Sequence, residues 1–296
     1  MQSIAGGFSS HKTRVSLRVS SPSQKNESEI RQTDMLNRKL RTVAIKLLPN
    51  SLLARFGVDD AIPHFAFSKD LDVRKDIQDK YGFEGELLEA FVNNKKHVVH
   101  KWHHYIPIYD RYFSALRGHK VRFLEIGVSK GGSLQMWRKY FGEEAILYGI
   151  DIDPNCETLN GIDGQVRIGS QDDPQFLESV IREMGGVDVI LDDGSHRMDH
   201  VLRTFTFLFP KLSDGGIYLI EDLHTAFWRG YGGGYESKSN FFSFISDMIN
   251  DMHHWYHIHP LKHASVSNVC SGIHIHDSIA VLEKGKVYEP THSQIG

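Results

Sequence analysis

The chain has 296 residues, a formal net charge of -3, 40% hydrophobic and 24% charged residues. That length holds one large α/β domain and a smaller N-terminal part. The near balance of charge, with Lys and Arg scattered rather than striped, argues against nucleic acid as a partner, and no apolar run approaches the ~20 residues that cross a bilayer, so no membrane partner is expected.

Met1 to Lys25 contains no Asp or Glu, is rich in Ser and carries Lys12, Arg14, Arg18 and Lys25. Organelle transit peptides share that composition, but the segment lacks an amphipathic period. Low hydrophobicity alone accounts for it, and residues 1–33 are read as a disordered polar tail. Met35 to Leu48 reads as a short helix closed by Pro49-Asn50, Gly85 to Val99 as a second helix, and Trp102 to Leu116 as an aromatic-rich segment. The turn signal at Gly118-His119 sets a boundary, giving a helical N-terminal extension over 34–118 and a main domain over 119–296. Cys156 and Cys270 form neither a CxxC pair nor a disulfide framework, which fits a reducing cytosol.

From Val121 onward apolar runs alternate with helical patterns. VRFLEIGV, AILYGIDI, VDVILDD and GGIYLIED read as strands, and helices start near Gly132, Pro174, Met198 and Ser239. This is the βαβ signature of an α/β fold with a doubly wound, mostly parallel sheet. The closing GIHIHDSIAVLEKGKVYE alternates polar and apolar residues and predicts antiparallel C-terminal strands.

In such sheets ligands bind beyond the carboxyl ends of the strands, and four of those ends are acidic. Glu125-Ile126-Gly127 leads into Ser129-Lys130-Gly131-Gly132-Ser133, a turn that lets backbone approach a ligand and opens a helix N-terminus. Its spacing departs from GxGxxG, which favours a nucleoside-like ligand over a dinucleotide. Asp151, more than 20 residues beyond the turn, is placed to accept hydrogen bonds from ribose hydroxyls. Ser170, Gln171 and Asp172 offer polar groups for an adenine edge, and Asp192 for an amino group. Each taken singly also suits a helix cap or turn; their joint occurrence at successive strand ends points to one site. The layout resembles class I S-adenosylmethionine methyltransferases over about Val121 to Glu289. The resemblance implies S-adenosyl-L-methionine as cofactor, bound by Glu125, Gly127, Gly131, Ser133, Asp151, Ser170, Gln171, Asp172 and Asp192.

Two further clusters, Asp192-Asp193-Gly194-Ser195-His196 and Glu221-Asp222-Leu223-His224, end adjacent strands. Asp193, Glu221 and Asp222 would converge there, and three carboxylates share a small volume only when protonated or neutralised by a cation. Oxygen ligands select a hard ion, Mg2+ first, with Mn2+ or Ca2+ as substitutes. His196 lies on the following turn, within reach of a metal-bound hydroxyl, and imidazole suits proton removal at neutral pH.

DDGSHRMDH, IEDLH, KWHHYIPIYDRYF and IHIHDSIAVLEKG together are similar to the Mg2+-dependent macrolide sugar O-methyltransferases, of mycinamicin and demethylmacrocin type, and to rhamnosyl O-methyltransferases. The resemblance implies that Asp193, Glu221 and Asp222 hold the metal, that His196 is the catalytic base, that the acceptor is a small, glycosylated molecule, and that the protein is a homo-oligomer. One departure is His100, where relatives often carry an acidic residue before the Lys-Trp pair. Two other functions compete: an Fe(II)-dependent hydroxylase of cephalosporin hydroxylase type using Asp193, His196 and His224, which leaves Glu221 and Asp222 idle, and a nonenzymatic S-adenosylmethionine-binding protein. Trp228 to Tyr235 reads as a lid or a flexible connection, and the run His253, His254, His257 and His259 as ordinary surface histidines rather than a metal site.

Overall fold

The run of apolar residues after Val121 forms the strand β1 (Arg122–Ile126), an internal strand of a seven-stranded sheet in a computed structural model that describes residues 71–296. The expected helix Met35 to Leu48 and the tail over 1–33 lie outside the described residues. Strands β2 (Ile146–Asp151), β3 (Gln165–Ile168), β4 (Val187–Asp192), β5 (Leu212–Ile220), β6 (Cys270–His276) and β7 (Ile279–Lys284) follow in the order β3-β2-β1-β4-β5-β7-β6. The first five pair in parallel. β7 is antiparallel to both β5 and β6, so β7 alone runs against the sheet. The expectation of antiparallel C-terminal strands holds for the hairpin, with the correction that β6 runs in the direction of β5.

Burial explains the order. Ile279 to Leu282 are four consecutive buried residues, as an internal strand requires, whereas β6 is mostly part-exposed and takes the edge.

Eight α-helices lie among the described residues: α1 (Val73–Tyr81), α2 (Glu86–Val92), α3 (Tyr105–Phe113), α4 (Gly132–Phe141), α5 (Pro174–Met184), α6 (Met198–Leu208), α7 (Phe241–Met252) and the short α8 (Ala264–Ser267). Local chemistry sets several ends. Asp173 caps α5 by accepting from the backbone of Gln175 and Phe176, Pro174 opens it, and left-handed Gly185 closes it. Asn240 caps α7 through the Ser243 amide. The helix expected over Gly85 to Val99 ends at Val92, because Asn93 folds its amide back onto the Glu89 carbonyl and the chain then runs irregularly to His104.

Two hydrophobic clusters cover the sheet faces. One joins Leu124, Ile126, Ile190, Tyr218 and Ile220 with α5, α6 and α7. The other joins Phe123, Leu147, Val189, Leu191 and Leu219 with α4 and with Ile77, Leu87, Leu88, Tyr105, Tyr109 and Phe113 of α1 to α3. The boundary expected at 118 is therefore not one in packing: α1 to α3 are part of the sheet's cover. Among the described residues no helix is long and apolar enough to cross a membrane.

Candidate functional site

Parallel registry brings Ile126, Asp192 and Ile220 to one level, so the turns after β1, β4 and β5 emerge side by side where the strand order reverses. They enclose a cleft of about 320 Å3, within the range of small-molecule sites. Its walls are Gly127, Val128, Ser129, Lys130 and Ser133 after β1, Asp151 after β2, Asp193, Gly194 and His196 after β4, Glu221 and Asp222 after β5, and residues 98–102 leading into α3.

The β1 turn is held tightly. Gly127 has φ of +96°, and a Cβ there would lie 2.1 Å from the Asp193 carbonyl oxygen. Gly127→Ala is accordingly expected to destabilise the fold by at least about 2 kcal/mol, from left-handed strain and backbone collision together; thermal unfolding reads this directly, and an unchanged midpoint would refute it. Asp151 is braced as an acceptor, taking the Ser129 amide at 2.8 Å and the Asp153 amide at 2.9 Å. Glu125 lies fully buried beneath the turn. Burial pushes its carboxyl up to about 7, against the opposing effect of Lys101 and the Ser133 hydroxyl, and its Oε2 has no protein hydrogen-bond partner.

The remaining expected cofactor residues sit elsewhere. Asp192 is turned inward, accepting from Tyr218 at 3.0 Å and Gln171 at 3.3 Å, and burial raises its carboxyl to about 6. Gln171 is a strut: its Oε1 accepts from the Ser195 amide at 2.7 Å and its amide also donates to Thr204, so it holds the loop that carries His196. Ser170 donates to Asp172 at the end of β3, and Gly131, in the left-handed region, precedes α4. None of these, nor Glu125, lines the cleft.

The acidic cluster is assembled in two halves. Lys101 donates from Nζ to Asp193 Oδ2 at 2.7 Å and to Glu221 Oε1 and Oε2 at 2.8 and 2.9 Å. Both oxygens of Glu221 are thus engaged by an ammonium, which the sequence motifs do not place here. Burial lowers the ammonium's proton affinity, but Asp193 and Glu221 outweigh that and hold it above its ordinary range. Burial, then Asp193, push the Glu221 carboxyl well up against the opposing pull of Lys101.

The other half is open. His196 Nε2 lies 3.9 Å from Asp193 Oδ1 and 3.8 Å from Asp222 Oδ2, beyond hydrogen-bonding distance. Donor atoms of Asp193, His196 and Asp222 all lie within 4.8 Å of one another, the one such group of metal-capable side chains among the described residues. The expected trio therefore does line one cleft, with the difference that Lys101 is the cation on Glu221 and His196 takes its place in the close cluster. Two carboxylate oxygens facing solvent make a donor set that suits a hard divalent cation.

His196 and Asp222 both have φ of +55°, and Ser129 has +50°. Non-glycine residues in that region cost about 1–3 kcal/mol each and persist where surrounding structure enforces them. Here the Thr225 hydroxyl donates to the His196 carbonyl at 3.2 Å, and Tyr105 donates to Asp222 Oδ1 at 2.8 Å. Tyr105→Phe is expected to cost about 1 kcal/mol of stability and to weaken divalent-cation binding about 10-fold by freeing the Asp222 carboxylate; calorimetric titration with Mg2+ checks it, and unchanged affinity would count against Asp222 as a ligand.

Residues 124–223 match the family model described as a methyltransferase domain. The chain carries a methyltransferase domain. Among curated relatives, the 8-demethyl-8-(2-methoxy-alpha-L-rhamnosyl)-tetracenomycin-C 3'-O-methyltransferase of Streptomyces olivaceus is 37% identical over 206 residues, 64% of this chain and 51% of that protein. The 8-demethyl-8-alpha-L-rhamnosyl tetracenomycin-C 2'-O-methyltransferase of the same organism is 31% identical, covering 76% of this chain and 60% of its own length. Mycinamicin VI 2''-O-methyltransferase of Micromonospora griseorubida is 35% identical over 62% of this chain and 49% of that protein. Among solved structures, the MycE methyltransferase of the mycinamycin pathway, in complex with Mg, SAH and mycinamycin VI, superposes with a TM-score of 0.62 at 32% identity, over 69% of this chain and 54% of that one. The chain thus spans about half to three-fifths of the length of these relatives. The domain has the mostly parallel sheet that the alternating runs lead one to expect, and these relatives have the sugar O-methyltransferase character that the DDGSH and IEDLH motifs lead one to expect.

The geometry bears on the competing sites too. His224 Nδ1 is 2.7 Å from the Ser278 hydroxyl and stands outside the Asp193–His196–Asp222 group, so the two-histidine arrangement is not assembled. His253, His254 and His257 bond backbone carbonyls of Ile249, Asp251 and Asn250. The segment Trp228 to Tyr235 folds back on itself, with Gly234 bonding the Ala226 carbonyl, and does not line the cleft.

Proposed function

We propose that the protein transfers a methyl group from S-adenosyl-L-methionine to a hydroxyl on the sugar of a glycosylated natural product or glycolipid, with Mg2+ at the open oxygens of Asp193 and Asp222, while Glu221, expected as a third ligand, stays on Lys101. The observation that carries this reading is His196 Nε2 poised beside two open carboxylate oxygens in the cleft that also holds Asp151. A divalent cation bound there would acidify a coordinated acceptor hydroxyl, and the sulfonium donor supplies an electrophilic methyl group.

The chain's own residues do the rest. Asp151 accepts from ribose hydroxyls, the bare backbone of Gly127 and the small side chain of Ser133 let the donor approach β1, and Gly131, Ser170 and Asp172 shape the turns behind the cleft wall. Glu125 and Asp192 set the charge behind the donor's amino-acid end, with Gln171 fixing the His196 loop. His196 takes the acceptor proton at Nε2, and the walls of residues 98–102 exclude water from the reacting pair, so orientation supplies much of the acceleration. The reading extends to a homo-oligomer and to a cytosolic location, the latter in keeping with two buried free thiols at Cys156 and Cys270.

Isotope transfer tests it. Label should pass from methyl-labelled S-adenosylmethionine to a rhamnosylated or macrolide glycoside in the presence of Mg2+ and not in EDTA. Oxygen consumption with Fe(II) and 2-oxoglutarate in place of label transfer would favour the hydroxylase reading, and donor binding without transfer to any glycoside would favour the nonenzymatic one.

A further inference from the structure

Lys101 is the one ammonium in the cleft wall that meets two carboxylates at once. Its side chain is 2% exposed, as is that of Glu221, while Asp193 is 22% exposed. A lysine ammonium has three protons, and three oxygens receive them: Asp193 Oδ2 and both oxygens of Glu221. The Tyr109 ring stands 5.9 Å away on a further side. The segment that carries Lys101 is pinned as well, since the Val98 carbonyl packs so closely on Gly132 that a Cβ there would meet it at 2.3 Å.

We propose that Lys101 is a built-in counter-ion that assembles the Asp193–Glu221 half of the cleft before any divalent cation arrives, leaving Asp193 Oδ1 and Asp222 as the half open to exchange. A buried carboxylate without a partner is strongly destabilising, because desolvation is not repaid by attraction. Glu221 cannot wait for a diffusible ion; its position has to be satisfied in the metal-free fold, and the ammonium does so. The same charge sets the balance at the open half. With Lys101 on Asp193 Oδ2 and on both oxygens of Glu221, the carboxylate oxygens left to meet an incoming cation are those of the open half, Asp193 Oδ1 and Asp222 Oδ2, beside His196. Removing the ammonium reverses both effects: the metal-free fold weakens, and a divalent cation then supplies what Lys101 supplied.

The counter-ion assignment stands on this geometry alone, and its metal corollary rests on the reading given under Proposed function. The test compares thermal unfolding of the full chain as wild type, Lys101→Met and Lys101→Met/Glu221→Gln, each in EDTA and in excess Mg2+. In EDTA, Lys101→Met should lower the midpoint by roughly 10 °C, and the double variant, which no longer buries an unpaired charge, should recover most of that loss. A double variant as unstable as the single one, or a single variant that melts like wild type, overturns the proposal. Should Lys101→Met fail to accumulate, recovery of folded protein in the double variant supports the counter-ion role, and failure of both variants to fold overturns it. Mg2+ should raise the midpoint of Lys101→Met more than that of wild type; an equal or smaller rise overturns the corollary. If no form responds to Mg2+, the metal reading of the cleft falls while the EDTA comparison still decides the role of Lys101.

Discussion

Replacing His196 by Ala is expected to lower turnover about 10^2- to 10^4-fold, the usual contribution of a positioned general base, with donor affinity changed less than about 3-fold. The separation of the two effects follows from placement. His196 stands after β4, between Asp193 Oδ1 and Asp222 Oδ2, whereas Asp151, Ser129, Lys130 and Ser133 line the cleft from the segments after β2 and β1. Because Nε2 lies beyond hydrogen-bonding distance of either carboxylate, the ring is free to take a proton from a hydroxyl placed between them. Its left-handed backbone adds a complication, since alanine is strained at φ of +55°. Asn tolerates that conformation and lacks a base of comparable strength, so His196→Asn is the better control: it should keep the wild-type melting temperature and still lose turnover. Equal turnover in His196→Asn and wild type, measured by methyl transfer at saturating donor, would remove His196 from the chemistry.

Much of this architecture can be read from the residues because the central strands bury both faces. VRFLEIGV, AILYGIDI and VDVILDD are apolar without alternation, and each is an internal strand. β3 is signalled only by the polar turn that follows it, since Val166 is its single buried residue. The place of β7 inside the sheet is written in Ile279 to Leu282, but alternation in β6 invites treating the two strands alike.

At the site, residue type reveals which groups belong to the cleft but not which way they face. Asp192 and Asp193 are neighbours in sequence and point to different places, one to Tyr218 and Gln171, the other to Lys101 and the opening. Lys101 is hard to recognise from sequence because its partners are 92 and 120 residues away. Its signal is present all the same: the carboxylates demand a cation, and a lysine embedded in an aromatic run that packs on the sheet is available to provide one.

Changing Asp222 to Asn is expected to weaken divalent-cation binding on the order of 100-fold or more, since loss of a direct ligand should exceed the 10- to 100-fold typical of its supporting groups. The substitution is chosen to leave the fold alone. Asn tolerates the left-handed backbone that Asp222 adopts, keeps an oxygen to accept from Tyr105, and differs by one charge. Glu221 and Asp193 retain Lys101, so the buried half of the cluster stays satisfied and the melting temperature in EDTA should move by no more than about 3 °C. Methyl transfer should fall in parallel with occupancy and recover in part at high Mg2+, where mass action compensates for lost affinity. A variant that binds Mg2+ as wild type does, or wild-type protein whose transfer activity survives exhaustive chelation, would show that the open carboxylates serve the acceptor hydroxyl without a metal ion, leaving His196 and the two carboxylates as a purely proteinaceous base.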